Sequence, residues 1–141
     1  MIEVYFDGAS GGNPGLSGAG LYINLGDGRE IRRSYPLGER ANNHEAEFAA
    51  LVEALRFCRE QNYRTVSFRT DSQLVNQAIE KRFVKKSIYA AYLETALRLI
   101  DQFDLFFCKW IPDLQNRNAD QLARDAILNQ LRQTESEDPH P

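Results

Sequence analysis

Apolar residues alternate with polar ones over residues 2–7, so Ile2, Val4 and Phe6 share one face and a strand is predicted there. Six glycines and one proline from Gly8 to Gly20 read as a tight connection. Leu21-Tyr22-Ile23-Asn24-Leu25 reads as a second strand, Gly26-Asp27-Gly28 as a hairpin, and Glu30 to Leu37 as a third strand. From Asn42 to about Gln61 the period changes to helical. Thr65 to Thr70 is a short strand, and Asp71-Ser72 starts a helix running to about Lys81, because a side-chain oxygen there caps free backbone amides. A further helix covers Ser87 to Gln102, a strand Phe103 to Trp110, a loop Pro112 to Asn118, and a last helix Ala119 to Gln133. The order β-β-β-α-β-α-α-β-α predicts an α/β fold: a five-stranded mixed sheet with helices on both faces. Residues 1–132 are expected to form one domain and residues 133–141 a polar, disordered tail.

Acids stand on stripes that ought to be apolar. At 100° per residue, with Glu47 at zero, Ala54, Cys58, Leu51 and Leu55 fall between about −20° and 80°. Glu45 falls at about 160°, beside Arg56, and is expected to face solvent. In the last helix Ile127, Leu131 and Ala123 lie within about 60° of Asp120, whereas Asp125 lies off the stripe. Asp7 closes the first predicted strand and Asp71 the fourth. All four acids are thus placed to converge at one end of the sheet. Grouped carboxylates are costly to bury and repel one another. Divalent cations with hard-ligand preferences, Mg²⁺ or Mn²⁺, would offset that cost. For any one of these acids alone, helix capping or a salt bridge is the better explanation, and the coincidence of four is stronger than any single case.

The remaining composition changes little. Net charge is −3, but without Glu135, Glu137 and Asp138 the acids fall from 20 to 17 and equal the 17 basic residues, so charge neither favours nor excludes a polyanionic partner. The 141 residues contain two cysteines, Cys58 and Cys108, in no metal-binding pattern, and these are expected to be reduced core residues, with a disulfide between them left open. Trp110, Tyr89 and Tyr92 are also expected in the core. With no apolar run long enough to cross a membrane and no signal peptide pattern, the expected location is the cytoplasm.

Four segments, in order, resemble the type 1 ribonuclease H family to about residue 132: Phe6-Asp7-Gly8-Ala9-Ser10-Gly11-Gly12-Asn13-Pro14-Gly15, Asn43-His44-Glu45-Ala46-Glu47-Phe48-Ala49-Ala50-Leu51, Thr70-Asp71-Ser72-Gln73-Leu74-Val75 and Ala119-Asp120-Gln121-Leu122-Ala123-Arg124. The resemblance implies a ribonuclease H-like fold, and places the family's metal-binding, catalytic quartet on Asp7, Glu47, Asp71 and Asp120. It implies hydrolysis of the RNA strand of an RNA–DNA hybrid with two Mg²⁺ or Mn²⁺ ions, leaving 5′-phosphate and 3′-hydroxyl ends. Asn13, Asn43 and Gln73 match minor-groove contacts. Arg40 and Asn42 match a pocket for a DNA phosphate, although relatives often have threonine in place of Asn42. The loop Ile111 to Asn118 lacks the histidine found in many bacterial members, and only Lys81-Arg82-Phe83-Val84-Lys85-Lys86 remains of their basic protrusion. The chain resembles the shorter branch of the family. It is expected to act as a monomer on the hybrid, with double-stranded RNA left open as a second substrate and no membrane partner. A non-catalytic nucleic-acid-binding protein of the same fold and a DNA-directed nuclease of the same fold stay open as alternatives.

Overall fold

The computed structural model describes residues 1–137. Strands β1 (Ile2–Ser10), β2 (Gly15–Asn24) and β3 (Glu30–Arg40) form an antiparallel meander. Helix α1 (Asn43–Glu60) leads into β4 (Thr65–Thr70). Helices α2 (Gln73–Lys81) and α3 (Ser87–Ile100) precede β5 (Leu105–Trp110), and a 3-10 turn (Asp113–Gln115) precedes α4 (Arg117–Glu137). The sheet order is β3-β2-β1-β4-β5, with β4 parallel to both β1 and β5. All five strands and four helices are therefore present, in the mixed sheet the order predicts.

Pairing extends through the glycine-rich segment, which is a correction to its reading as a connection. β1 and β2 stay in register from Glu3–Asn24 to Ser10–Ser17, and only residues 11–14 turn. Asp7 therefore sits inside β1, opposite Gly20, rather than closing it. The glycines serve close packing instead. A Cβ on Gly8 would lie 2.1 Å from the Ala46 carbonyl oxygen of α1, and one on Gly20 would lie 2.0 Å from the Ala119 carbonyl oxygen of α4. Gly8 pairs with Ala19 and Gly20 with Asp7, so the two helices lie on opposite faces of the sheet. Gly8→Ala is expected to push α1 outward and lower stability by about 1–3 kcal/mol, with a matching fall in thermal midpoint.

The core lies between β1, β2, β4 and helices α1 and α3, with Val4, Phe6, Leu21, Ile23, Phe48, Leu51, Leu55, Val66 and Phe68 fully buried. Tyr89 is buried and stacks on Phe48, as expected. Two other aromatic expectations fail. Trp110 is 42% exposed because β5 is an edge strand, and Tyr92 is only half-buried. The inward stripe of α4 is Ala119, Ala123 and Ala126, the small residues that Gly18 and Gly20 admit, while Leu131 is exposed. Gln130 takes the inward place one turn on, donating to the Ser17 carbonyl at 2.7 Å and accepting from the Gly38 amide at 3.0 Å. Residues 133–137, placed in the polar tail by sequence, continue α4; residues 138–141 of that tail lie outside the described residues. Cys58 is buried, Cys108 is partly buried, and both thiols are free. Among the described residues no helix is long and apolar enough to cross a membrane.

Candidate active site

β1 and β4 run parallel, with Tyr5 level with Arg69, so Asp7 and Asp71 lie two residues further along each, at the same end of the sheet. Glu47 joins them from the first turns of α1, which the bare Gly8 backbone admits closely. Carboxylate oxygens of Asp7, Glu47 and Asp71 lie within 4.8 Å of one another. Asp120, from the first turn of α4, hydrogen-bonds with Asp7 and pairs with Arg124 Nε at 3.1 Å. The four acids line one open cleft of about 740 Å³, together with Ser10, Asn43, Trp110, Asp113 and Arg124.

The electrostatics show acids in excess of their local partners. Burial, followed by the charge of Asp71 and the hydrogen bond and charge of Asp120, pushes the Asp7 carboxyl well above the usual carboxylate range. Burial also raises Glu47, while the Ser72 hydroxyl and His44 partly offset the effect. His44 Nδ1 lies 3.4 Å from Glu47 Oε2. Burial raises Asp71 too, against the stabilising amide of Asn116, with Asp120 and Asp113 adding repulsion.

Groups around the acids fix their positions. Asn116 is 1% exposed; its Nδ2 donates to the Phe6 carbonyl at 3.0 Å and its backbone oxygen accepts from the Asp120 amide. It thus ties β1, Asp71 and the start of α4 together. Ser72 caps α2 by accepting from the Val75 amide, and Trp110 Nε1 donates to the Asp71 carbonyl oxygen at 3.0 Å. Sequence reasoning singled out none of Asn116, Ser72, Trp110, His44, Asp113 and Arg124 as site residues. Arg124 was accessible from its i,i+4 spacing to Asp120 and His44 from its i,i+3 spacing to Glu47. The contact between Asn116 and Phe6 spans 110 residues and leaves no local signal.

The expected substrate contacts are more scattered. Asn43 borders the cleft, and its Oδ1 accepts from the Ser10 amide at 2.8 Å. Asn13 is exposed in the β1–β2 turn and Gln73 is exposed at the start of α2. Asn42 is the N-cap of α1, its Oδ1 accepting from the Glu45 amide at 2.9 Å and from the Tyr89 hydroxyl at 3.2 Å. That leaves its Nδ2 as the group available to a ligand. Glu45 does not face solvent as the helical wheel suggested. It is partly buried, accepting from the Ala41 amide and the Tyr92 hydroxyl, each at 2.6 Å, because α3 covers that side of α1. Arg40 ends β3 and donates from Nη1 to the Tyr92 hydroxyl at 3.0 Å.

A family model described as reverse transcriptase-like matches residues 5–126. The ribonuclease HI of Halobacterium salinarum is 32% identical over 133 residues, covering 89% of this chain and 64% of that protein. Its crystal structure superposes with a TM-score of 0.85 at 30% identity, over 91% of this chain and 98% of that one.

The chain belongs to the ribonuclease H family of enzymes.

Another relative, from Enterococcus faecalis and named "Putative hydrolase EbsB", is 42% identical over 129 residues, covering 90% of this chain and 94% of that protein. The ribonuclease H1 called LC11, whose crystal structure contains an RNA/DNA hybrid, superposes with a TM-score of 0.85 at 27% identity, over 93% of this chain and 99% of that one. The ribonuclease H fold expected from the sequence is thus the fold observed.

Proposed function

We propose that this ribonuclease H family member hydrolyses the RNA strand of RNA–DNA hybrids, using divalent cations held by Asp7, Glu47, Asp71 and Asp120. The convergence of three carboxylates within 4.8 Å carries the reading. Uncompensated, such a cluster is unfavourable, and the raised Asp7, Glu47 and Asp71 carboxyls record that cost. An all-oxygen, anionic donor set at the open end of a sheet fits Mg²⁺ or Mn²⁺ and does not fit softer metals. When bound, two such ions supply Lewis acidity for activating water and for neutralising charge on the cleaved phosphodiester.

The protein's own groups hold and orient. Asp7, the most buried of the four acids and in contact with both Asp71 and Asp120, would be the central donor holding the cations. The Ser72 hydroxyl and His44 orient Glu47, and the Asn116 amide orients Asp71. Arg124 screens Asp120. Asn13, Asn43 and Gln73 would read the minor groove, where 2′-hydroxyls distinguish RNA from DNA, and Arg40 with Asn42 would hold a phosphate of the DNA strand. A solved ribonuclease H1 that contains a hybrid supports this choice of substrate.

The test is incubation of the purified chain with an end-labelled hybrid, a DNA duplex and an RNA duplex, in Mg²⁺ and separately in Mn²⁺. The expected outcome is cutting of the hybrid's RNA strand, with 5′-phosphate and 3′-hydroxyl product ends and no cutting in EDTA. Absence of cutting in either metal, at high protein and low salt, would overturn the proposal in favour of a non-catalytic role.

A further inference from the structure

Arg40 is the one charged residue among the expected substrate contacts, and its side chain is held by a chain of hydrogen bonds. Its Nη1 donates to the Tyr92 hydroxyl at 3.0 Å. That hydroxyl in turn donates to Glu45 Oε2 at 2.6 Å, and Glu45 Oε1 accepts from the Ala41 amide at 2.6 Å. The direction of each bond is determined. A guanidinium only donates and a carboxylate only accepts, so the hydroxyl between them must accept from one and donate to the other. Burial and the Glu45 carboxylate push the Tyr92 hydroxyl up to about 12, which keeps that proton in place at neutral pH.

Two features make this more than a structural tie. Arg40 Nε is buried and has no hydrogen-bond partner, which is costly unless a ligand completes it. A cleft of about 270 Å³ opens beside Arg40, its polar lining being Arg56, Tyr92, Thr95 and Glu53, the last paired with Arg56 at 3.7 Å. Glu45 is kept from forming a direct ion pair with Arg40 by the intervening hydroxyl, so the guanidinium retains its fork of free donors for an anion.

We infer that Tyr92 is a positioning residue: anchored on Glu45, it sets the Arg40 guanidinium in the orientation that grips a phosphate of the hybrid. Glu45 thus has two tasks, completing the start of α1 and aiming a substrate contact on a neighbouring strand. The inference rests on the proposed hybrid-binding function and names a residue, on α3, that the sequence pattern gave only a place in the core.

Hybrid binding in EDTA, without cleavage, separates the possibilities. The dissociation constant would be measured across a salt series for the wild type, Arg40→Ala, Tyr92→Phe and the double variant, with thermal midpoints alongside. Arg40→Ala should weaken binding about tenfold and reduce the slope of log K against log salt by about 1, as expected for one lost phosphate contact. Tyr92→Phe keeps the ring and should weaken binding about three- to tenfold. In the Arg40→Ala background, Tyr92→Phe should have no further effect, because its role passes through Arg40. An unchanged constant for either single variant, or an equal loss from Tyr92→Phe in both backgrounds, would overturn the assignment while leaving the hybrid-binding function intact. A wild type with no affinity for the hybrid at any salt would remove the function, and this assignment with it.

Discussion

Asp71→Asn is expected to fold normally and to cut the hybrid at least about 10³-fold more slowly than the wild type, a loss typical of removing a group that acts on charge in the transition state. Asp71 is half-buried just beyond β4, and its carboxylate meets Asp7, Asn116 and the field of two further acids. Asparagine has the same size and leaves the backbone undisturbed, so the Trp110 bond to the residue 71 carbonyl survives. What disappears is one negative oxygen donor from the set that would hold the cations, and the amide nitrogen left in its place cannot ligate a metal. The fold loses nothing comparable, since Asp71 contributes no core packing. Asp101→Asn, which removes an exposed ion pair with Arg82, serves as the control and should cut at the wild-type rate. Cleavage by a clean Asp71→Asn preparation at more than a tenth of the wild-type rate would refute the role assigned to this acid.

Asp7→Asn should abolish cleavage and, without divalent cations, make the protein more stable at neutral pH. The folded state raises the Asp7 carboxyl well above its unfolded value, through burial first and the charges of Asp71 and Asp120 next. A raised carboxyl binds its proton more tightly in the folded state. Its stabilising contribution is therefore complete below the unfolded value near 3.8 and is lost as pH rises through the folded one. At pH 7 the cost of holding an acid in this buried, negatively charged setting is one that asparagine lacks. The variant's thermal midpoint should therefore lie above that of the wild type at pH 7, each kcal/mol of relief being worth roughly 2–4 °C in a chain of this size. The difference should shrink toward zero near pH 4, where the wild-type residue is neutral as well. Adding Mg²⁺ should reverse the order, since a cation at 100 times its dissociation constant stabilises the wild type by about 2.7 kcal/mol and the variant far less. Thermal scans at pH 4 and 7, with EDTA or Mg²⁺, check all four corners. An Asp7→Asn midpoint below that of the wild type at pH 7 in EDTA would contradict the electrostatic account.

The convergence of the four acids was legible because each stood out locally: the helical wheel put Glu47 and Asp120 beside apolar residues, and Asp7 and Asp71 fall at one end of parallel strands. Element order was legible for the same reason, since periodicity is a local property. What escaped depended on contacts between distant segments. Glu45 was assigned to solvent because a helical wheel cannot know that α3 covers that side of α1. Trp110 was assigned to the core because its strand looks apolar, and only the sheet order shows that β5 is an edge. The glycine-rich segment was read as a turn because glycine signals both turns and close approach. In this protein Gly8, Gly18 and Gly20 make room for two helices within paired strands. Leu131 fell off the α4 stripe for a related reason, the inward face there being built from alanines that suit those glycines.

The bond from the Trp110 indole to the backbone of Asp71 gives the molecule a built-in optical gauge. Trp110 is the chain's sole tryptophan, borders the acidic cleft and is partly exposed to water. Its emission is therefore sensitive to any shift of the Asp71 backbone and to any change of charge a few ångström away. Loading of the cleft should be followed directly in the unlabelled protein, with no second indole to dilute the signal, and a variant that folds but cannot load its site should keep the spectrum of the metal-free state.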